Sequence, residues 1–232
     1  AASRGHEQIA RVLLDANAYP HIPVDGGWTP LHIAARNGHS AIVRLLLSRG
    51  VAPDTCDLGM TPLALAAYHD HEAVVELLLD AGANPNSPTE GGFWSPLHTA
   101  SSLGHVAVVQ LLVARGANVS ITLDNGRTPL HLAAECGHST IARLLLGGGA
   151  DVGVHTRWCW TPLHYAARDN QLELARLLLE RGAAVNAYTI GKVGGSGPLQ
   201  LAAYNEHADM VCLLLGAGAD PNARTNDGHA PL

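Results

Sequence analysis

The groups in this chain most capable of chemistry are the side chains of fourteen histidines and four cysteines. Imidazole and thiolate groups bind zinc when they occur at short fixed spacings, such as two cysteines separated by two residues. The cysteines instead stand far apart in the sequence, at Cys56, Cys136, Cys159 and Cys212. We therefore expect no metal site, and nothing else in the sequence asks for a cofactor.

Most of the histidines recur at two fixed places of a repeated pattern, which indicates a structural role. Four of them end the tetrad Thr-Pro-Leu-His or Ser-Pro-Leu-His: His32, His98, His131 and His164. Six more lie at a short turn that follows each tetrad: His6, His39, His71, His105, His138 and His207. We predict that these histidines bond the backbone or a neighbouring repeat. The others are scattered, with no cysteine or carboxylate at ligand spacing: His21, His69, His155 and His229.

Nucleophilic and phosphate-binding motifs are also missing from the sequence. There is no Gly-x-Ser-x-Gly, no Walker-type loop and no His-Glu-x-x-His. Gly147-Gly148-Gly149 follows a leucine-rich run, so it indicates the end of a helix and not a phosphate cradle. Cys159 lies between Trp158 and Trp160, where no base can be assigned to it, so we expect a contact residue. The sequence predicts no catalysis and no small-molecule substrate.

The tetrad returns at a nearly constant interval, and this period defines the architecture. Copies begin at residues 29, 61, 95, 128, 161, 197 and 230, in steps of 32, 34, 33, 33, 36 and 33 residues. Small residues, a turn and a leucine-rich run ending in glycine follow each full copy, as in 34–50. Such self-similarity indicates a stacked array of one supersecondary unit. An array of this kind offers an extended surface and no single deep pocket.

Each copy predicts two helices. Thr or Ser can cap the first helix, and Pro suits its first position, where a missing N–H costs nothing. We expect this helix to span roughly 30–37 in the first full copy, with Gly38 as its left-handed stop. Ile42, Val43, Leu45 and Leu46 are at helical spacing and predict a second helix with one apolar face.

The offsets between these blocks resemble the ankyrin-repeat family over essentially the whole chain. The resemblance implies an all-α fold, an α-solenoid of helix–turn–helix units joined by short β-hairpin loops, and protein–protein recognition without catalysis. We expect one domain over 1–232. Its repeats would be a partial one at 1–25, then about 26–57, 58–90, 91–123, 124–156, 157–192 and 193–226, and a partial one at 227–232.

The loops between repeats differ in length while the predicted helices do not. From the glycine that ends the second helix to the next tetrad, the interval is usually 12 residues, and it grows to 15 between Gly182 and Gly197. Gly197 also replaces the capping Thr. Because glycine is only a slightly weaker cap, we expect a softer junction there and not a broken array.

The composition limits the partners and the compartment. Net charge is −6 and only one lysine is present, so we expect no nucleic acid. No apolar run approaches the ~20 residues of a membrane span, so we expect no membrane insertion. The cysteine usage suits reduced thiols in the cytoplasm or nucleus. The array begins and ends inside repeats, which suggests a segment of a longer protein, and we expect it to be monomeric.

In proteins of the family that this chain resembles, hairpin tips and the ends of first helices line a concave partner-binding face. Aromatic and arginine side chains occupy many of those positions, and these types dominate interface energetics. The predicted partner-binding residues are Trp28, Met60, Tyr68, Phe93, Trp94, Arg127, Trp158, Trp160, Arg168 and Tyr204. For the tryptophans an alternative stays open, since each could simply cover the neighbouring hairpin.

Three functions fit the sequence. The first is a non-catalytic scaffold that binds another protein through the concave face of hairpins and first helices. The alternative is a recognition or sensor arm of a larger enzyme or signalling ATPase whose catalytic domain lies outside 1–232. A structural spacer is the third, and the tryptophans argue against it because a spacer needs no exposed aromatic row.

Overall fold

A computed structural model describes residues 1–23, 27–55, 59–87, 94–190, 195–225, 228 and 230–231. These residues form a short 3-10 helix, Ala2–Arg4, and thirteen α-helices with no β-strand. The helices are α1 (Glu7–Asp15), α2 (Pro30–Arg36), α3 (Ser40–Ser48), α4 (Pro62–Tyr68), α5 (Glu72–Asp80), α6 (Pro96–Leu103), α7 (Val106–Ala114), α8 (Pro129–Glu135), α9 (Ser139–Gly147), α10 (Pro162–Arg168), α11 (Leu172–Glu180), α12 (Pro198–Tyr204) and α13 (Ala208–Gly216). The predicted all-α fold of paired helices is confirmed.

The even-numbered helices are the predicted first helices, and each begins with proline. The residue before it adopts extended backbone and is Thr, Ser or, before α12, Gly197. In α2 the helix ends at Arg36 and Gly38 follows with φ 72°, so the left-handed stop lies where the sequence predicts it. In the repeats of α4, α10 and α12, Asp70, Asn170 and Glu206 take the same left-handed conformation without being glycine.

The chain divides into two compact units, which we call unit 1 (Ala1–Asn118) and unit 2 (Val119–Leu232). In unit 1, α2, α4 and α6 pack side by side, and α1, α3, α5 and α7 form a second row against them. The alanine pairs, such as Ala34-Ala35, are fully buried and allow the first-row helices to approach closely. Leu63 and Leu78, from the two helices of one repeat, are fully buried between the rows.

Unit 2 repeats this arrangement with α8, α10 and α12 in one row and α9, α11 and α13 in the other. The fully buried side chains of this unit include Leu130, Leu163 and Leu174. The buried face of each second helix carries its aliphatic residues, while charged residues such as Arg143 and Arg176 are exposed. Burial between neighbouring repeats supplies the hydrophobic stabilisation that one short helix pair could not reach alone.

Tight turns connect the repeats at the hairpin tips. In one of them Gly126 N–H donates to Leu123 O (2.8 Å) and Leu123 N–H donates to Arg127 O (2.8 Å). The next hairpin has the same pattern, from Cys159 N to Thr156 O (2.9 Å) and from Thr156 N to Trp160 O (2.9 Å). The residue that closes each turn is left-handed, with φ 81° at Gly126 and 57° at Cys159. A type I turn followed by a left-handed residue is a standard three-residue hairpin connection.

Candidate functional site

The periodic histidines connect the first helices to the neighbouring hairpins through hydrogen bonds. The first-helix histidines are fully buried and their Nδ1 atoms accept the N–H of the capping residue, at 3.3 Å for Thr29 and His32 and 3.1 Å for Thr128 and His131. Their Nε2 atoms reach forward: His32 Nε2 bonds Met60 O at 3.1 Å, and His131 Nε2 bonds Trp160 O at 3.0 Å. His32 and His131 therefore each tie the start of their own helix to the following hairpin.

The turn histidines bond in the opposite direction. His71 Nε2 bonds Arg36 O at 2.9 Å, His105 Nε2 bonds Tyr68 O at 3.2 Å, and His207 Nε2 bonds Arg168 O at 2.9 Å. These carbonyls end the first helix of the preceding repeat, where intrahelical partners are lacking. The predicted role of the periodic histidines in bonding backbone and neighbouring repeats is confirmed at these positions.

Burial keeps two of these histidines neutral. The pKa of His131 falls to about 4, mainly because burial penalises the charged ring, while the bond to Trp160 O opposes the shift. The pKa of His164 also falls to about 4 through burial, and the carbonyls of Ala187 and Ser196 partly oppose it. A ring that stays neutral at physiological pH and is enclosed by backbone bonds cannot serve as a surface acid or base.

In two repeats the tip residue before the first helix stacks on the residue that ends the same helix. In unit 1 the guanidinium carbon of Arg36 lies 5.1 Å from the Trp28 ring centre. In unit 2 that of Arg168 lies 5.6 Å from the Trp160 ring centre. Arginine over an aromatic face is stabilised by ~0.5–1 kcal/mol at exposed sites. The two position classes that the sequence singles out therefore form one continuous surface, which we call the helix-one face of each unit.

An aromatic and cationic cluster dominates the helix-one face of unit 2. The Tyr165 ring centre lies 5.0 Å from that of Trp160, and the guanidinium carbons of Arg127 and Arg168 lie 5.6 and 5.3 Å from it. Arg127 donates two hydrogen bonds to the Glu135 carboxylate, at 2.9 and 3.1 Å. We call Arg127, Glu135, Trp160, Tyr165 and Arg168 the arginine–aromatic cluster.

Carboxylates lock both arginines of this cluster in place. Besides the Arg127–Glu135 pair, Arg168 donates two hydrogen bonds to the adjacent Asp169 at 2.7 and 2.8 Å, which raises the pKa of Arg168. Burial raises the pKa of the Tyr165 hydroxyl, and Arg127 opposes that rise. Bidentate pairs fix the plane of a guanidinium, so the cluster presents defined geometry before any partner arrives.

The backbone of Trp160 is held from two repeats. Its N–H donates to Thr156 Oγ1 (3.2 Å), and its carbonyl accepts both Thr156 N–H (2.9 Å) and His131 Nε2 (3.0 Å). The neighbouring tips are joined as well, because Ile190 N–H donates to Trp158 O at 2.9 Å. This bonding anchors the tip main chain while leaving the side chains of Trp158 and Ile190 exposed.

The predicted contact residues differ in exposure. Tyr68, Trp158 and Tyr204 are exposed, at 51%, 53% and 88% of their full surface. The half-buried ones are Trp28, Met60, Trp94, Arg127, Trp160 and Arg168. None of the three tip tryptophans at 28, 94 and 160 is fully enclosed, so packing on a neighbour and an accessible edge coexist in each. Phe93 lies outside the described residues.

The sequence analysis missed Tyr165, which is the centre of the arginine–aromatic cluster although only 4% exposed. Its position follows the histidine of the tetrad, where other copies carry an aliphatic residue or threonine. Aligning the copies would have shown one aromatic residue in an aliphatic column. That substitution was the available signal.

The described residues contain no group of three or more histidine, cysteine or acidic side chains that could hold a metal ion. Cys136, Cys159 and Cys212 are not joined in disulfide bonds. Across the described part of the chain, no helix has the length and apolarity needed to cross a membrane. The helix-one face of unit 2 offers stacked rings and paired guanidinium groups, which suit recognition of a surface.

Comparisons with known proteins agree with this architecture. A family model described as ankyrin repeats, in three copies, matches residues 1–89, 87–156 and 148–225. The solved ankyrin repeat domain of human ASB11 is similar, with a TM-score of 0.76 and 28% identity over 88% of this chain and 90% of that one. The 26S proteasome non-ATPase regulatory subunit 10 of Dictyostelium discoideum is 43% identical over 51 residues. That match spans 22% of this chain and 22% of that protein.

Proposed function

The chain belongs to the ankyrin-repeat family, and from this premise we propose that it is a non-catalytic scaffold that binds another protein through its helix-one faces. Ankyrin repeats are generally protein–protein interaction modules. The observation that carries the proposal is the concentration of accessible aromatic rings and arginines on that face, with Trp158 and Tyr204 more than half exposed. Clustered exposed rings mark interaction sites more often than isolated apolar residues do.

The energetics of the face support the proposal. Tryptophan, tyrosine and arginine bury large areas with few rotatable bonds, so they are enriched among residues that dominate binding energy. In unit 2 the rings of Trp160 and Tyr165 and the guanidinium of Arg168 are already stacked on each other. Side chains ordered in the free protein lose less entropy on binding, which favours affinity.

The remaining parts of the proposal concern context. We propose that the chain acts in the cytoplasm or nucleus, since its described cysteines form no disulfide bonds and a stretch of 51 residues is similar to a proteasome subunit. We also retain the repeat boundaries and the monomeric state as proposals. The binding residues proposed are those predicted from the sequence, with Tyr165 added as the residue that supports Trp160 and Arg168.

The proposal is tested by substituting exposed rings and measuring partner capture. The intact chain and its Trp158→Ala and Tyr204→Ala variants are used as baits, and the captured proteins are quantified by mass spectrometry. A partner should bind the unsubstituted chain and lose affinity by about 2 kcal/mol with at least one variant, because these side chains would be central contacts.

The matched control is Arg143→Ala, an exposed change on the second-helix row of the same unit. It should leave capture unchanged. Melting temperatures of all variants should agree with that of the unsubstituted chain, because exposed side chains contribute little to folding stability. Loss of capture with Arg143→Ala and not with the ring variants would place the binding surface on the opposite row and contradict the proposal.

A further inference from the structure

The arginines of the two helix-one faces have different electrostatic surroundings. In unit 2, Glu135 and Asp169 neutralise Arg127 and Arg168 through bidentate pairs. In unit 1, Arg36 stacks on Trp28 and is exposed, and it forms no ion pair with any described residue of that unit. Among the described residues, the arginine at this structural position therefore pairs with a carboxylate in unit 2 and with none in unit 1.

The repeat after Arg36 adds aromatic and imidazole rings beside it. Tyr68 and His69 are exposed at the end of α4, with ring centres 4.9 Å apart, and the His71 ring is stacked 6.0 Å from that of His69. The bond of 2.9 Å from His71 Nε2 to Arg36 O holds the two repeats in this arrangement. The pKa of His69 is lowered by burial first and then by the charges of His71, Arg36 and His105.

The carboxylates that the structure describes in unit 1 lie elsewhere. Asp70, the nearest in sequence to this surface, lies 3.6 Å from His105 Nδ1 and is directed to that ring. Every other described carboxylate of the unit is on α1, on α5 or at Asp54, and Asp54 accepts the backbone N–H of Asn84. Acidic residues on the second-helix row, such as Asp80, pair with arginines of the same row. No described acidic side chain of unit 1 therefore forms an ion pair with Arg36.

We propose that Trp28, Arg36, Tyr68 and His69 form a docking surface for an acidic segment of a partner protein. Arg36 receives an aspartate or glutamate carboxylate in the bidentate geometry that Arg127 and Arg168 already show with Glu135 and Asp169. The rings of Trp28 and Tyr68 cover the apolar groups beside that carboxylate. Charge complementarity of this kind selects partners and accelerates association. The inference rests on the proposed function and names the chemistry of the partner.

The test is a selection of random peptides displayed on phage against the intact chain, followed by calorimetry with the selected peptides. The peptides should be enriched in aspartate and glutamate. Arg36→Gln should weaken their binding about tenfold or more, because it removes a charge-assisted bidentate pair. Arg44→Gln, an exposed charge change on α3, is the matched control and should leave the affinity unchanged. Raising the salt concentration should weaken binding to the unsubstituted chain and much less to Arg36→Gln.

Several results would overturn the inference. These are selection of neutral or basic peptides, acidic peptides that tolerate Arg36→Gln, and no enrichment at all. Neutral peptides that lose affinity with Trp28→Ala but not with Arg36→Gln would remove the acidic partner and leave the proposed protein-binding function standing. Because Arg36 is exposed and its ring partner is kept, circular dichroism of Arg36→Gln should match that of the unsubstituted chain.

Discussion

Replacing His131 with glutamine should make the chain resist acid. The buried ring of His131 has a pKa of about 4, against 6.5 for an ordinary histidine, chiefly because of burial. The unfolded chain therefore takes up a proton at a pH where the folded chain does not. The contribution of the neutral ring to the free energy of unfolding is fully present above pH 6.5 and is lost as the pH falls towards 4. Linkage gives a loss of ~2 kcal/mol at pH 5 and ~3 kcal/mol at pH 4 from this one ring.

Another repeat of this chain already has glutamine at the position of His131. Gln200 occupies the same place in its repeat, where its Oε1 accepts Gly197 N–H at 3.0 Å and its Nε2 donates to Ala223 O at 3.0 Å. His131 likewise accepts the N–H of its capping residue Thr128 and bonds a carbonyl further along the chain, that of Trp160, which is at a different repeat position from Ala223. His131→Gln should therefore keep the bonding of the frame and remove only the titration.

The assay is urea unfolding followed by circular dichroism between pH 7.5 and 4.5. The two proteins should differ little in free energy of unfolding at pH 7.5, where the ring is neutral in both states. Below pH 6.5 the free energy of unfolding of the variant should exceed that of the unsubstituted chain, by ~2 kcal/mol at pH 5. A difference that stays constant across this range would refute the reasoning, because it would mean that folding does not discriminate against the charged ring.

Two further predictions concern left-handed backbone. Cys159→Gly should raise the free energy of unfolding by about 0.5–1 kcal/mol in urea titrations, because Cys159 has φ 57° where the preceding hairpin has Gly126; an unchanged value would show that the turn carries no strain. Gly50→Ala should cost about 1 kcal/mol from φ 80° alone, since open space surrounds the new methyl group, whereas Gly38→Ala should cost clearly more because that group would meet His71 at 2.8 Å; equal losses in the two alanine variants would contradict the contact.

The sequence was sufficient for the frame because each repeat letter has a local physical role. Thr-Pro marks the helix start at Pro30, and Gly38 marks the stop, whatever the partner repeats are. The periodic histidines could be assigned to structure because a residue that returns in most copies must answer a need common to all of them. Only the structure shows which residues they bond, such as Met60 in the following repeat and Arg36 in the preceding one.

The chemistry of the surface was less predictable because it depends on how non-repeated residues meet. The position of Tyr165 is aliphatic or threonine in other copies, and its role became visible only where two guanidinium groups stack on its ring. Glu135, Arg168 and Asp169 all lie at or just after the end of a first helix, but that shared position does not reveal which charges pair. The left-handed conformation of Cys159 could have been predicted from the sequence, because aligning the copies places Cys159 at the position of Gly126.

On the proposed binding role, the pairing of charges predicts different tasks for the two helix-one faces. A guanidinium that already grips a carboxylate, like Arg127 with Glu135, offers a partner little net charge but a rigid plane beside Tyr165. Such a surface favours affinity through apolar contact with little loss of entropy. A guanidinium that no described carboxylate pairs, like that of Arg36, is expected to repel basic groups and attract acidic ones, which gives specificity. Substitutions in unit 2 should therefore change how tightly partners bind, and substitutions at Arg36 should change which partners bind.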